Sequence, residues 1–208
     1  IPYVVAFVDG KPVDQFVGVL PEGQLRGFLD RVIPQPADVA YREGLAARQA
    51  GEIAHAREAF QNALAFDPGF DAARFELVSL LLDGGDVRAA QGEFELLSPK
   101  APQDERYGPL QTRLKATQRA DALPDANALR LRIESEPDNL QARLDLAEQY
   151  IAQQNYEAAL EQLIAIVERD RTFRDDIARK TMVSVFDMMR DAPQVVSHWR
   201  RQLASKLN

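Results

Sequence analysis

Two histidines and one aspartate-rich turn are the side chains of this sequence that could bind a metal or move a proton. His55 and His198 are separated by most of the chain, so the two histidines do not have the short spacing of a zinc-ligand pair. The segment Asp83-Gly84-Gly85-Asp86 resembles the start of a calcium loop but lacks the later ligands and the final bidentate glutamate. We therefore expect solvated histidines and a turn between helices, with no metal site and no catalytic residue.

The composition excludes several further kinds of chemistry. The 208 residues contain no cysteine, so thiolate catalysis, disulfides, cysteine-bound zinc and iron–sulfur clusters are excluded for this sequence. No phosphate-binding loop, dinucleotide fingerprint or nucleophile elbow is present. The net charge of −7 argues against a nucleic-acid partner, and no apolar run reaches the roughly 18 residues of a membrane span. We therefore predict a non-enzymatic chain with no cofactor, no nucleic-acid partner and no membrane partner.

The first 34 residues differ in pattern from the rest. Tyr3–Val8 and Val13–Leu20 are rich in β-branched and aromatic residues and flank Asp9-Gly10, a strong hairpin signal, so they predict two antiparallel strands. Apolar residues at helical spacing over residues 21–33 predict a helix, and two prolines then end the segment. We therefore divide the chain into a hairpin-plus-helix domain, residues 1–34, and a helical domain, residues 35–208.

A period of 34 residues organises the helical domain. Residues of the same type recur at this spacing: Gly51 and Gly85, Ala56 and Ala90, Phe60 and Phe94, Pro68 and Pro102. They predict two helix pairs, with leading helices Asp38–Ala50 and Asp71–Leu82 and trailing helices Ile53–Phe66 and Val87–Leu97. We expect the glycines in the turn inside each pair, small residues such as Gly44 where paired helices approach closely, and the phenylalanines between a pair and the next unit.

Later in the chain the repeat is less regular. Gln103–Ala120 and Pro124–Ser135 predict a helix pair that matches the motif poorly, and the register slips, because Pro137 follows Pro102 by 35 residues. A third unit then fits, and two closing helices are predicted at Asp175–Arg190 and Pro193–Leu207. A stacked array needs capping helices, because its last apolar face would otherwise meet water.

The period and its residue types resemble the tetratricopeptide repeat, a paired-helix unit that stacks into a curved array. Leading helices line the concave face of such an array, so their non-motif positions are expected to face a partner. These positions predict a partner-binding groove made of Tyr41, Leu45, Arg48, Phe75, Ser79, Leu82, Leu144 and Glu148. The mixed polar and apolar lining suits an extended or partly unfolded peptide. An array that stacks without binding any ligand is the alternative.

The last helix carries a second candidate surface. It combines the single tryptophan of the chain with several basic side chains: His198, Trp199, Arg200, Arg201 and Lys206. Tryptophan and arginine are enriched at protein interfaces, so this composition suits docking of a protein partner. The alternative is that Trp199 closes the end of the core.

The first domain resembles the last third of a thioredoxin fold. Ile1-Pro2 resembles the cis-proline motif before the fourth strand of that fold, and Phe16-Val17-Gly18 and Phe28-Leu29 match its strand–strand–helix ending. With the repeats, nearly the whole chain resembles bacterial thioredoxin-like co-chaperones with C-terminal tetratricopeptide repeats, the chaperedoxin family. The resemblance implies a thioredoxin-like cis-proline groove at Ile1 and Pro2. The chain begins inside a strand-like run without a methionine, so we interpret it as a C-terminal fragment.

The expected fold class is therefore mainly α, a tetratricopeptide-like helical repeat array preceded by a β-hairpin plus helix. The resemblance implies a cytoplasmic holdase that holds unfolded or partly folded proteins and passes them to the chaperonin and DnaK systems. One alternative is the docking half of a thioredoxin-type oxidoreductase whose Cys-x-x-Cys lies upstream. Another is an assembly scaffold with one fixed partner. If nothing covers the hairpin, its unpaired edges predict a homodimer through Tyr3–Val8 or Val13–Leu20.

Overall fold

The computed structural model describes residues 1–8, 10–120 and 122–207. These residues form one two-stranded antiparallel sheet and are otherwise mainly helical, as predicted. The elements in chain order are β1 (Tyr3–Val8), β2 (Lys11–Val17), α1 (Glu22–Val32), α2 (Pro36–Gln49), α3 (Ile53–Phe66), α4 (Asp71–Asp83), α5 (Val87–Glu95), a short 3₁₀ turn (Ala101–Gln103), α6 (Tyr107–Ala120), α7 (Ala126–Ser135), α8 (Leu140–Ala152), α9 (Tyr156–Arg169), α10 (Phe173–Met188) and α11 (Pro193–Leu207). No described helix is both long enough and apolar enough to cross a membrane.

The chain divides into two compact units, Ile1–Arg74 and Phe75–Asn208. The boundary lies inside α4, whereas the change in sequence pattern predicts a division between residues 34 and 35. The hairpin, α1, α2 and α3 therefore all belong to the first unit. The division into a hairpin-plus-helix domain, residues 1–34, and a repeat domain, residues 35–208, stays a prediction.

The hairpin of the first unit packs one aromatic side chain on its helix. β1 and β2 pair with Tyr3 opposite Val17, and β2 ends before the predicted boundary at Leu20. The Phe16 ring meets the Phe28 ring of α1 edge to face with centroids 4.9 Å apart, and Phe28 is buried. The hairpin turn was predicted at Asp9-Gly10, of which Asp9 lies outside the described residues. The predicted homodimer through this hairpin stays a prediction.

The structure corrects the prediction for Ile1 and Pro2. None of the described residues follows a cis peptide bond, so the Ile1–Pro2 bond is trans and the predicted cis-proline groove is not formed. The physical reason is that trans is the more stable isomer of a peptide bond before proline. After this bond, the Pro2 carbonyl accepts a 2.9 Å hydrogen bond from the Gly18 amide and continues the ladder of the hairpin. Ile1 is fully exposed.

Small side chains let α2 and α3 pack closely. Gly44 of α2 lies directly against the ring of Phe60, because a Cβ atom added at residue 44 would come within 2.5 Å of Phe60 Cε1. Phe60 is completely buried, and the small side chains of both helices are buried around it: Ala40, Ala47, Ala56, Ala59 and Ala63. The predicted role of Gly44 in close helix approach is therefore confirmed.

Three turns between paired helices share one backbone pattern. Gly51, Gly85 and Gln154 all have positive φ, at 79°, 76° and 59°. In each case the next residue donates its amide to the carbonyl five residues earlier, as in the Schellman ending of a helix: Glu52 to Ala47, Asp86 to Leu81 and Asn155 to Tyr150. The glycine prediction is thus confirmed for the first two turns. The third turn shows that Gln154 occupies the equivalent position after the register slip.

The second unit has a continuous apolar core at its C-terminal end. It is built from buried side chains of five helices, α6 and α8–α11: Ala116, Leu144, Ala147, Ile151, Ala159, Leu160, Leu163, Ile164, Ile166, Val167, Ala178, Met182, Val185, Phe186, Val196 and Leu203. A smaller cluster of Leu129, Ala142 and Leu146 joins α7 to α8. Buried Gln149 of α8 donates its amide to the carbonyls of Ala120 and Pro124, at 2.9 and 3.2 Å, and so fixes the connection from α6 to α7. The helix pair that matches the motif poorly is therefore held by a specific polar contact.

Candidate protein-binding groove

A groove of about 410 Å³ opens between α6, α8 and α10 in the second unit. We name it the basic groove. Its lining comes from three helices that each begin a helix pair, and consists of Thr112, Lys115, Ala116, Gln118, Arg119, Leu144, Glu148, Ile151, Arg174, Ile177, Lys180, Thr181 and Ser184. This volume falls in the range of clefts that bind ligands or short peptide segments.

The apolar part of the basic groove belongs to the core. Leu144 and Ile151 of α8 and Ala116 of α6 are buried, and Ile177 of α10 is half-buried against the same cluster. Leu144, Ile151 and Ala116 are covered by their neighbours and have at most 3% of their surface exposed, so they support the groove from behind. Among the apolar lining residues, half-buried Ile177 is the one that a ligand can contact.

An ion pair crosses the basic groove between α6 and α8. Arg119 Nη1 lies 2.5 Å from Glu148 Oε1, and Arg119 Nη2 lies 3.7 Å from Asp145 Oδ1. Burial raises the pKa of the Glu148 carboxyl, and the neighbouring Arg119 charge opposes that rise. Glu148 Oε2 is buried and has no hydrogen-bond partner among the described residues. One acceptor at the groove is therefore desolvated and unused.

The backbone beside the groove is strained where α10 begins. Three successive residues that are not glycine, Arg174, Asp175 and Asp176, have φ of 48°, 55° and 65°. The left-handed conformation costs about 1–2 kcal/mol for each residue with a Cβ atom. This turn places Arg174 in the lining of the groove. No glycine or asparagine marks it in the sequence.

Only part of the predicted partner-binding groove coincides with the basic groove. Leu144 and Glu148 line the basic groove. Phe75 and Leu82 are buried in the second unit, with 1% and 5% of their surface exposed, which removes them as contact residues for a partner. They point to the core because a leading helix inside an array is covered on more of its circumference than a surface helix. Ser79, from the same helix, is half-buried.

The predicted groove residues of α2 lie in the first unit. Tyr41 is half-buried, and its ring packs at 5.9 Å from the Phe60 ring and at 5.1 Å from the Phe70 ring. Leu45 is exposed and Arg48 half-exposed. These three residues are outside the basic groove, and their predicted role in partner binding stays a prediction.

Several candidate residues of the terminal helix α11 contact other side chains of the second unit. Trp199 is half-buried against the core, as the alternative interpretation predicts. The Arg200 guanidinium lies 5.7 Å from the centre of the Phe186 ring, and Lys206 Nζ pairs with Glu168 Oε1 at 2.8 Å. His198 and Arg201 are exposed. These two side chains remain as candidates for docking a partner.

Sequence reasoning missed the cations of the basic groove. Lys115, Arg119, Arg174 and Lys180 were not among the predicted site residues. Two of them lie on α6, in the stretch that matches the repeat motif poorly and where the register slips, so counting in units of 34 does not reach them. The available signal was the spacing of Lys115 and Arg119, which places both on one face of a helix.

His55 forms an exposed ionic cluster in the first unit. Its Nε2 lies 2.9 Å from Glu43 Oε1, and its Nδ1 lies 3.2 Å from Glu52 Oε2. Hydrogen bonds to Glu52 and then Glu43 raise the pKa of His55. Among the described residues, no three His, Cys, Asp or Glu side chains are grouped so that they could hold a metal ion. His55 thus links α3 to α2 through Glu43 and to the turn that joins the two helices through Glu52.

The His55 cluster predicts a pH-dependent stability of the first unit. Because the folded-state pKa is raised, protonated His55 contributes stability fully below its unfolded pKa of about 6.5, and this contribution is lost as the pH rises through the folded-state pKa. We expect His55→Gln to lower the thermal midpoint of the first unit in mildly acidic buffer and to have less effect in mildly alkaline buffer. Thermal unfolding from about pH 5 to about pH 8 measures this, with exposed His198→Gln as the matched control. A His55→Gln effect that does not change with pH would contradict the prediction.

Comparisons with known proteins place the repeats in a family. Family models described as tetratricopeptide repeat match residues 47–114 and residues 119–208. The two matches indicate a tetratricopeptide repeat protein. Repeats of this type are generally protein-interaction modules, and neither match is to a catalytic family.

More distant similarities add no assigned activity to this repeat protein. Over 212 aligned residues it is 26% identical to uncharacterised proteins of Mycobacterium bovis and Mycobacterium tuberculosis, a match that covers 100% of the chain and 61% of each relative. The chain thus spans less than two thirds of the length of these curated relatives. A solved domain of unknown function from Vibrio parahaemolyticus is 24% identical and aligns over 80% of this chain and 96% of that domain, with a TM-score of 0.37 that is too low to support an argument. The thioredoxin-like and chaperedoxin resemblances are not shown by these matches.

Proposed function

We propose that this repeat protein is a co-chaperone module that holds segments of unfolding proteins in the cytoplasm and passes them to the chaperonin and DnaK systems. The observation that supports binding is the basic groove, a cleft of about 410 Å³ lined mostly by polar and charged side chains. The repeat family supports a protein as the ligand. Transfer to chaperonin and DnaK rests on the resemblance of the sequence to chaperedoxins.

The lining of the groove favours an unfolded ligand over one fixed partner. Thr112, Gln118 and Ser184 provide donors and acceptors that suit any peptide backbone. Burial of apolar side chains against half-buried Ile177 has no directional requirement. Both features are tolerant of sequence, as a holdase requires.

Suppression of aggregation tests this function. The chain is mixed with three unrelated proteins that aggregate on heating, and light scattering is followed at increasing molar ratios. We expect the chain to suppress aggregation of all three. Ser184→Trp fills the groove and should abolish most of the suppression, because the indole occupies the space of the ligand. Ser135→Trp is the matched control, since Ser135 is exposed at the end of α7 and outside the groove.

Three outcomes count against the proposal. If the chain suppresses aggregation of none of the three proteins, it is not a holdase. If it protects a single one of them, the scaffold alternative is favoured. If Ser184→Trp and Ser135→Trp behave alike while both remain folded by circular dichroism, the basic groove is not the binding site.

Transfer to the chaperonin is tested on the terminal helix. Deletion of this helix would expose the core, because Val196 and Leu203 are buried in it. Charge reversal at the exposed Arg201 avoids this defect. We expect the wild-type chain to bind purified chaperonin in a sedimentation assay and Arg201→Glu to bind more weakly, with exposed Arg130→Glu on α7 as the control. No binding of the wild-type chain would remove the transfer step from the proposal.

A further inference from the structure

The charge of the basic groove is opposite to that of the whole chain. The sequence carries a net charge of −7. Four of the lining side chains are cationic and one is anionic: Lys115, Arg119, Arg174 and Lys180 against Glu148. A chain with an excess of acidic residues thus gathers cations around one cleft. Low-dielectric walls strengthen the field of such a cluster.

Three of these cations, Lys115, Arg174 and Lys180, have no carboxylate partner within the described part of the chain. Arg119 is paired with Glu148 and Asp145. Lys115 forms no ion pair with any described residue. Lys180 donates to the backbone carbonyl of Asp175 and to no described carboxylate. Both lysines are exposed, one on α6 and one on α10, so their charges are available to a ligand.

The unused groups of the groove are complementary to an acidic peptide. Successive side chains of an extended segment point to opposite sides, so neighbouring acidic residues can reach cations on two different helices. Carboxylate–ammonium contacts are among the stronger hydrogen bonds, because both groups are charged.

We infer that the basic groove binds an extended segment of a partner protein in which acidic residues stand beside apolar ones. The carboxylates pair with Lys115 and Lys180, and the apolar side chains lie against half-buried Ile177. This inference rests on the proposed function, because it names the type of segment that the same groove prefers. It goes beyond that function in giving the groove a charge preference: clients rich in basic residues bind weakly, and acidic–apolar segments bind tightly.

Two labelled peptides of equal length test the charge preference. One contains Glu and Asp among Leu residues, and the other replaces every Glu by Gln and every Asp by Asn. Binding to the full chain is measured by fluorescence anisotropy at low and at high sodium chloride. We expect the acidic peptide to bind about tenfold tighter than the amide peptide at low salt, with the difference shrinking at high salt because exposed ion pairs are screened.

Matched variants assign the effect to the two lysines. The double variant Lys115→Gln/Lys180→Gln should lose about tenfold in affinity for the acidic peptide and little for the amide peptide. The control Lys100→Gln removes an exposed lysine outside the groove and should leave both affinities unchanged. The conservative double variant Lys115→Arg/Lys180→Arg should restore binding of the acidic peptide. Thermal midpoints of all variants confirm that the fold is retained.

The outcomes separate this inference from the proposed function. Equal binding of the acidic and amide peptides would overturn the charge preference, and so would an unchanged affinity of the Lys115→Gln/Lys180→Gln variant. If aggregation is still suppressed in that case, the holdase function stands without the preference. If the wild-type chain suppresses no aggregation but binds the acidic peptide through both lysines, the groove is a specific acidic-peptide site and the holdase function is wrong.

Discussion

Replacement of Phe60 by alanine is expected to lower the free energy of unfolding of the first unit by about 3–5 kcal/mol. Phe60 is completely buried, and its ring fills the space between α2 and α3, where it meets Tyr41 and the backbone of Gly44. The other buried residues of α2 and α3 are alanines and one glycine, which are too short to close the cavity. The cost should therefore be that of a buried aromatic residue whose site does not collapse.

The contact between Gly44 and Phe60 makes a sharper test. Alanine at position 44 would place its Cβ atom 2.5 Å from Phe60 Cε1 and 2.6 Å from Phe60 Cδ1. We expect Gly44→Ala to destabilise the wild-type chain by about 1–3 kcal/mol through overpacking. In the Phe60→Ala background the same change should become stabilising by about 1 kcal/mol, because the ring is gone and alanine favours the helix more than glycine does.

Hydrogen exchange of the α2 and α3 amides measures these effects within the first unit, with urea unfolding as a second measure. Gly27→Ala is the matched control, since Gly27 lies inside α1 and an added Cβ atom would meet nothing within 4 Å. Gly27→Ala should stabilise the protein slightly, both in the wild-type chain and in the Phe60→Ala variant. If Gly44→Ala has the same sign with and without the Phe60 ring, the close approach of α2 to this ring does not govern stability.

The periodic positions show what the sequence could predict. Gly51 and Gly85 are 34 residues apart, and both occupy the left-handed position of a helix–helix turn. This agreement follows from a local rule, because glycine is the residue that adopts such a conformation without strain. Gln154 takes the same position without the glycine signal. The third turn was therefore visible in the sequence through its flanking residues and not through the turn residue itself.

The groove was harder to predict, because it depends on which faces three helices turn toward each other. Leu144 and Glu148 were found from the repeat, since α8 lies in a unit that matches the motif. Lys115 and Lys180 were not found, because α6 and α10 lie where the motif is poor or ends. Phe75 and Leu82 were assigned to a partner surface although they are buried. Helical spacing shows that residues share a face but does not show what covers that face.

A buried arginine in the second unit, Arg113, forms an ion pair on which the stability of this unit is expected to depend. Arg113 of α6 has 8% of its side chain exposed, and its Nη2 lies 2.8 Å from Asp83 Oδ1 at the end of α4. Gln154 Nε2 donates to the same oxygen at 3.3 Å. Asp83 thus joins α4, α6 and the turn before α9. Arg113 Nε is buried and lacks a hydrogen-bond partner among the described residues, so the arginine depends on Asp83 for compensation.

We expect Asp83→Ala to destabilise the second unit by about 2–3 kcal/mol, because it leaves the buried charge of Arg113 uncompensated. This cost is at or below the lower end of the range for removing one partner of a buried ion pair, because 36% of the Asp83 side chain is exposed. Arg113→Met removes the charge and keeps the volume, so it should cost only about 1 kcal/mol. The double variant Asp83→Ala/Arg113→Met should then be more stable than Asp83→Ala alone, although it carries one more substitution.

Urea unfolding followed by the fluorescence of Trp199 measures these differences, because this tryptophan packs on the core of the second unit. Asp138→Ala is the control: Asp138 pairs with Arg169 at 3.3 Å but has 95% of its side chain exposed, so its loss should cost less than about 1 kcal/mol. An Asp83→Ala variant that is no less stable than Asp138→Ala would contradict the prediction. Burial, and not the presence of an ion pair, decides the size of the effect, because water compensates the exposed arginine when its partner is removed and cannot reach the buried one.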